Sequence, residues 1–181
     1  DGSNYLVVWK YSSAVQGCVL RPNATLERPP FIIYNAGGTS YQPDVSFDGT
    51  NYLVVWSRSY DYIMGARVAP DGELLDPEGF RISGYGYPRY PCVTHDGSNW
   101  VVAWQEGSGN TARVRGALVN PHGSVVDSFE VDTRWMYEGM PAIATSSLGT
   151  TAVLYSAKAD SVGSFPFDSS RIWGWTNDFP S

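Results

Sequence analysis

One nine-residue stretch recurs along the chain, and this repetition constrains the fold more than any other feature of the sequence. It reads DGTNYLVVW at residues 48–56, DGSNYLVVW at 1–9 and DGSNWVVAW at 96–104. A weaker copy, LGTTAVLY, covers residues 148–155. Each copy joins a glycine-containing tight turn to a run of β-branched and aromatic residues, which predicts a hairpin turn that leads into a buried strand.

Three kinds of residue mark the repeat at one common period. Trp9, Trp56, Trp104 and Tyr155 follow one another at spacings of 47, 48 and 51 residues. The other two markers are Gly17, Gly65, Gly116 and Gly174, and Phe31, Phe80 and Phe129. A period of about 40 to 50 residues is typical of β-propeller blades. We therefore predict an all-β fold, a β-propeller of about four four-stranded antiparallel blades of roughly 48 residues, in which one domain, 1–181, contains repeats at about 1–40, 41–88, 89–138 and 139–181.

The second repeat shows the expected strands of one blade. They lie at residues 44–47, 52–56, 63–69 and 79–83, separated by turns that contain Asp, Gly and Pro. The second strand is almost continuously apolar, which predicts cover on both faces, as in stacked sheets. An immunoglobulin-like sandwich is the alternative fold, but it does not explain the period. The first repeat begins at its second strand and the fourth stops before its last. We therefore expect a segment of a larger propeller, a propeller completed by another chain, or an unusual closure of the ring.

Composition excludes several classes of function. The net charge is -6 and no cluster of Lys and Arg is present, which argues against a nucleic-acid partner. No apolar run is long enough to span a membrane, and no signal peptide is visible. Residue 1 falls inside a repeat, so we expect a mature or excised piece of a protein. Asn23 starts a short N-glycosylation pattern.

The residues that bind metals or act as nucleophiles are few and poorly placed for those roles. His95 and His122 are the only histidines, and each lies at a predicted turn. The alternating carboxylates of a calcium loop are absent. Cys18 aligns with Ala66 and Ala117, which favours a buried thiol over a disulfide or a nucleophile. We therefore predict that the protein binds no metal ion and no other cofactor, and we assign no catalytic residue.

The motifs DGxNYLVVW, IxGxRVxPDG, GFxIS and PxVxxDG together resemble a repeat of large secreted or surface-attached bacterial proteins that is thought to form β-propellers. The resemblance covers nearly the whole chain and is strongest over residues 40–132. It implies a secreted or cell-surface protein whose repeats serve as display or binding scaffolds, with no particular chemistry. Residues 46–50 also resemble the Asp-box turn of sialidase-type propellers, but the residue between Asp48 and Gly49 is missing, so no catalytic role is transferred.

The repeated residues are expected to form turns and to pack between blades, so function is sought where the copies differ. In a propeller, the loops between blades and the loops between second and third strands emerge on one face. These loops vary here and are rich in aromatic residues, which suit the binding of sugar rings or of a protein surface. The predicted ligand-binding residues are Tyr60, Tyr62, Tyr85, Tyr87, Tyr90, Trp135 and Tyr137.

Three functions remain open from the sequence. The first is an extracellular module that recognises carbohydrate or protein through the aromatic face. The second is a carbohydrate-active enzyme, a glycoside hydrolase or polysaccharide lyase, that uses carboxylates such as Glu106, Asp61 or Glu138. The third is an architectural repeat that joins chains through open strand edges. The binding module is the main prediction, and an enzyme is the less favoured one.

Overall fold

The structure, a computed structural model, describes residues 1–131, 137–158 and 170–177. Within these residues it is all-β apart from one turn of 3-10 helix at Gly109–Thr111. The strands form four antiparallel sheets in chain order, β1–β3, β4–β7, β8–β11 and β12–β14. Their bounds are β1 Tyr5–Tyr11, β2 Ala14–Leu20, β3 Leu26–Tyr34, β4 Ser40–Phe47, β5 Tyr52–Arg58, β6 Tyr62–Val68, β7 Phe80–Arg81, β8 Arg89–His95, β9 Trp100–Glu106, β10 Arg113–Val119, β11 Val125–Glu130, β12 Tyr137–Thr145, β13 Thr151–Lys158 and β14 Ser170–Asn177.

The predicted all-β, antiparallel architecture is confirmed, and the sheets of three strands are the two whose repeats were expected to lack a strand. The second and third sheets have four strands each, and the first and fourth have three each within the described segments. The first sheet starts with β1, which aligns with the second strand, β5, of the next sheet. In the same part of the chain, no helix has the length and apolar character needed to cross a membrane.

The first strand of each later sheet begins earlier than predicted. Because proline cannot donate a ladder hydrogen bond, we expected β4 to start after Pro43, yet it starts at Ser40. A register shift spans the proline and the residue before it in β4, β8 and β12, so that each strand contains a bulge. The bulged residues Gln42, Tyr90 and Met140 have left-handed φ angles of 51°, 52° and 49°. The bulge places proline where no ladder hydrogen bond is required.

Successive sheets stack face to face, and the middle strands are covered on both faces. In β5, Val54 and Trp56 pack in a cluster with the first sheet, while Leu53 and Val55 pack with the third. These β5 side chains are fully buried. A two-sheet sandwich would leave one of these faces in water, so the stacked arrangement explains the continuous apolar run. A third cluster, containing Ala103 and Tyr155, joins the third and fourth sheets.

The repeated aspartates form turns, as the sequence indicated. An Oδ1 atom of Asp48 accepts hydrogen bonds from the backbone N–H groups of Thr50 and Asn51, each at 2.7 Å. Asp96 does the same for residues 98 and 99, at 2.8 Å each. Asp1 occupies the equivalent turn at the start of the first repeat. These carboxylates therefore satisfy turn amides at the end of the molecule opposite the variable loops.

The periodic glycines and phenylalanines are direct partners across neighbouring strands. Gly17 pairs with Phe31, Gly65 with Phe80, and Gly116 with Phe129. A Cβ atom added at Gly116 would lie 2.4 Å from Cζ of Phe129. Glycine is therefore required at this position because the ring of its partner covers the backbone.

Replacement of Gly116 by alanine should destabilise the protein by about 1 to 3 kcal/mol, because the added methyl group forces the Phe129 ring away from the strand. Chemical denaturation measures this loss. Gly84→Ala is the matched control, since a Cβ atom at Gly84 meets nothing within 4 Å. Equal stability of the two variants would contradict this explanation of the repeat.

Candidate functional site

The variable loops lie at the end of the molecule where β4, β8 and β12 begin, which we call the axial end. Because neighbouring strands are antiparallel, the turn between β5 and β6 reaches this same end. The loop before β4 is held there by Arg58, whose guanidinium donates to the carbonyl oxygens of Ala36 and Gly37, each at 3.3 Å. Ser57 Oγ donates to the carbonyl of Pro88 at 2.7 Å and fixes the loop before β8.

Two tyrosines stack at the centre of the axial end. The rings of Tyr41 and Tyr60 lie 4.6 Å apart with an interplanar angle of 8°. Lys10 Nζ lies 4.7 Å from the Tyr41 ring centroid, and the Arg89 guanidinium carbon lies 5.7 Å from that of Tyr60. The result is a layer of alternating cations and aromatic rings contributed by three sheets. Tyr60 is one of the predicted binding residues, whereas Tyr41 is not.

Tyr62 and Tyr85, two further predicted residues, form a second aromatic pair. Their ring centroids lie 4.5 Å apart, and the Arg81 guanidinium carbon is 4.9 Å from the Tyr62 ring. Tyr62 also packs against the core between the first and second sheets, so part of its role is structural. Tyr85 is 75% exposed and therefore presents its ring to solvent.

Four predicted residues remain: Tyr87, Tyr90, Trp135 and Tyr137. Tyr87 is 68% exposed in the loop before β8, and Tyr90 is the half-buried bulge residue of β8. Tyr137 starts β12, and Trp135 lies outside the described residues. The structure thus brings Tyr60, Tyr62, Tyr85, Tyr87 and Tyr90 to one end of the molecule.

Backbone strain is concentrated at this same end. Seven of the eight non-glycine residues with positive φ in the described segments lie there: Ser12, Gln42, Ser59, Tyr60, Tyr87, Tyr90 and Met140. Ser59 and Tyr60, at 51° and 59°, are the central residues of the β5–β6 turn, which Asp61 N closes by donating to Arg58 O at 2.8 Å. A bulky side chain in this conformation is uncommon and costs free energy. This left-handed backbone conformation places the Tyr60 ring against the Tyr41 ring.

An open pocket of about 490 Å³ lies between the first strands of the second, third and fourth sheets. Its wall repeats one pattern three times: a bulge residue, a proline and the residue after it. The three sets are Gln42, Pro43 and Asp44; Tyr90, Pro91 and Cys92; and Met140, Pro141 and Ala142. Tyr90 is therefore a predicted binding residue that lines this pocket.

Inside this pocket, side chains of β4 accept hydrogen bonds from backbone N–H groups at the open edge of β8. Gln42 Oε1 accepts from Tyr90 N at 3.1 Å, and Asp44 Oδ2 accepts from Val93 N at 2.9 Å. Burial raises the pKa of the Asp44 carboxyl, although its backbone hydrogen bonds act in the opposite direction. Burial also raises the pKa of the Cys92 thiol to about 12, so this thiol stays protonated and is a poor nucleophile.

Glu106 and Asp61, two of the carboxylates suggested for catalysis, have separate environments, and the side chain of the third, Glu138, lies outside the described residues. Glu106 forms an ion pair with Arg115 and packs against the backbone of Gly86. Asp61 is exposed in the β5–β6 turn, and Glu138 is the second residue of β12. The sequence predicted a strand at Asp44 but no functional role for it. Asp44 aligns with Cys92 and Ala142, so the residue type differs between repeats at this position, and that difference was the signal that could have identified it.

Other parts of the described structure offer weaker sites. Cys18 and Cys92 are both free thiols, and Cys18 is buried, as its alignment with alanines predicted. Residues 1–131, 137–158 and 170–177 contain no group of three or more His, Cys, Asp or Glu side chains arranged to hold a metal ion. A larger pocket, of about 610 Å³, lies at the tight-turn end. Its lining includes Asp1, whose carboxylate already accepts turn hydrogen bonds, so we assign the candidate site to the axial end.

No family model matches the sequence, and no curated protein matches it either. Solved structures do match in fold. The Bacteroides ovatus xyloglucan PUL GH43B has a TM-score of 0.57 at 10% identity, over 98% of this chain and 37% of its own. The GH62 α-L-arabinofuranosidase catalytic domain of Coprinopsis cinerea has a TM-score of 0.53 at 11% identity, over 96% of this chain and 68% of its own.

A third similar structure has unrelated chemistry. The Synechocystis apocarotenoid oxygenase has a TM-score of 0.51 at 15% identity, over 96% of this chain and 44% of its own. The chain thus spans less than half the length of two of these three proteins. At such low identities the similarity shows the fold alone, and that fold is the β-propeller.

Replacement of Asp44 by asparagine should stabilise the protein at neutral and alkaline pH. The asparagine oxygen can still accept from Val93 N, while the cost of burying a carboxylate disappears. The pKa of Asp44 in the folded protein is raised above its ordinary value of 3.8. The protonated carboxyl therefore contributes its full stabilisation of the fold below pH 3.8, and this stabilisation is lost as the pH rises through the pKa of the folded protein.

Thermal unfolding of both proteins across pH measures this effect. The difference in Tm between Asp44→Asn and the parent protein should grow with rising pH and reach a plateau. A difference that is largest in acid would show that the carboxylate is stabilised in the folded state, contrary to this account.

Proposed function

We propose that this chain is part of a carbohydrate-active β-propeller and that a saccharide binds at its axial end. The observation that carries the proposal is the pair of exposed rings of Tyr85 and Tyr87, next to the half-buried stack of Tyr41 on Tyr60, at the end of the molecule that holds the open pocket. Flat rings with polar edges suit the faces of sugar rings. Similarity in fold to carbohydrate-active proteins supports a sugar over a protein ligand.

The backbone at Tyr60 supports a functional role for its ring. Residues held in sparsely populated conformations cost stability and persist where the surrounding structure holds them in place. Glycine would adopt the φ of 59° without strain, yet the chain carries a tyrosine there. The cost is understandable if the ring of Tyr60 contacts a ligand.

The variant Tyr60→Gly should bind the saccharide about tenfold more weakly than the parent protein, because the stacked ring is lost. Its stability should be maintained, since glycine relieves the strained turn. Calorimetry with xyloglucan and arabinan measures the affinity, and thermal unfolding measures the stability.

Ser12→Gly is the matched control for this experiment. Ser12 has a φ of 53° in the equivalent turn between β1 and β2, so the substitution relieves similar strain and removes no ring. Its affinity should equal that of the parent protein. An unchanged affinity in Tyr60→Gly would remove the aromatic surface from the proposed site.

Glycoside hydrolysis is a second candidate function, and the comparisons support it better than they support a plain binding module. Glycosidases use two carboxyl groups, one of them with a raised pKa as the general acid. Asp44 lines the axial pocket and has a raised pKa. The second carboxyl group would be one of those suggested by the sequence, Glu106, Asp61 or Glu138.

Release of the aryl group from aryl α-L-arabinofuranosides tests hydrolysis. Asp44→Asn should abolish turnover while it leaves saccharide binding and folding intact. Binding without any turnover in the parent protein would leave the binding module as the function. Turnover that persists in Asp44→Asn would remove Asp44 from the mechanism.

A further inference from the structure

The first sheet carries an apolar face that no part of the described chain covers. This first open face is formed by Tyr5, Val7 and Trp9 of β1 and, beyond Gln16 of the intervening β2, by Ile32 of β3. Leu6 and Val8 point the other way and pack toward the second sheet. Tyr5 is 61% exposed, Val7 40% and Ile32 50%, and Trp9 is half-buried.

The repeat shows what covers this face elsewhere in the molecule. Tyr5 and Val7 align with Tyr52 and Val54 of β5, which are 5% and 0% exposed. In the second sheet these positions and Trp56 pack against the first sheet, where the rings of Trp56 and Tyr34 lie 4.8 Å apart. In the third sheet, Trp100, Val102 and Trp104 are covered in the same way by the second sheet. The face therefore has the side chains that a preceding sheet of this repeat buries.

The fourth sheet carries the opposite half of the same contact. Leu154 of β13 aligns with Val55 and Ala103, residues that face the next sheet and are fully buried. Leu154 is 47% exposed, and Ala152 on the same side of β13 is half-buried. We call the surface formed by Ala152 and Leu154 the second open face.

We propose that the first open face of one chain packs against the second open face of another copy of this chain. Both faces are exposed in a single chain, so they do not cover each other within it. An exposed apolar face of this kind marks an interaction surface. The contact repeats the one found between the second and third sheets, and because its two halves differ, it joins copies head to tail. Two such contacts would close two chains into one ring of stacked sheets.

Sedimentation velocity of the intact chain over a range of concentrations tests this inference. The parent protein should form a species of at least twice the mass of one chain. Val7→Asp, on the first open face, and Leu154→Asp, on the second, should each be a monomer when studied alone, because every copy then lacks one of the two faces that a contact needs. Circular dichroism shows whether each variant is folded.

A mixture of variants gives the sharpest result. The double variant Val7→Asp/Leu154→Asp has both faces blocked and should be a monomer. A mixture of Val7→Asp with Leu154→Asp should form a dimer that cannot grow, because only one intact pair of faces remains. Val126→Asp, a charge placed at a 54% exposed residue of β11 away from both faces, should assemble like the parent protein.

Three outcomes would overturn the inference. A parent protein that is monomeric at every concentration would show that the faces do not bind each other. Assembly that survives in the double variant, or that is lost equally in Val126→Asp, would place the contact on another surface. Loss in Val7→Asp with none in Leu154→Asp would indicate that two first faces bind each other, which excludes the head-to-tail contact.

Discussion

The middle strands of the inner sheets are buried on both faces, and the rest of the structure depends on this double burial. In β5, neighbouring residues point in opposite directions and enter different cores, Val54 toward the first sheet and Val55 toward the third. Burial of a valine or leucine side chain contributes about 1.5 to 3 kcal/mol. Each inner sheet therefore packs against two neighbours, which explains why the apolar run of the repeat is continuous instead of alternating.

A core built in this way leaves the axial end free to vary. The turns at the opposite end are fixed by the repeated aspartates, whereas the axial loops are held by hydrogen bonds from residues such as Arg58 and Ser57. The first strands of the second and third sheets, β4 and β8, lie close together but do not pair in one sheet. Side chains of β4 therefore accept hydrogen bonds from backbone N–H groups of β8. Gln42 and Asp44 thus have a structural role at the same place where a ligand would enter the pocket.

The sequence predicted the sheets and the end of the molecule that carries the aromatic residues, because both follow from local patterns. Apolar runs, turn residues and a constant period are visible without coordinates. The stack of Tyr41 on Tyr60 could not be predicted, since it depends on the left-handed backbone of Ser59 and Tyr60. The early start of β4 was missed because a proline was taken as a strand boundary, whereas a bulge accommodates it within the strand.

Asp44 was missed for a related reason. Its environment arises from strands that are about 48 residues apart in sequence and meet at the axis, so no local pattern reveals its burial. The alignment of Asp44 with Cys92 and Ala142 shows only that the position varies. Its chemistry becomes visible when the pocket is formed.

Native-state thiol labelling tests the double burial most directly. Replacing Cys18 and Cys92 with alanine, the residue found in other copies of the repeat, gives a background without thiols. Single cysteines at Val54 and Val55 then report on the two faces of β5, with one at the exposed Val126 as the reactive control. We expect both β5 thiols to react only when the protein unfolds. If either reacts in the native protein as fast as the thiol at position 126, one face of β5 is open and the stacked arrangement is wrong.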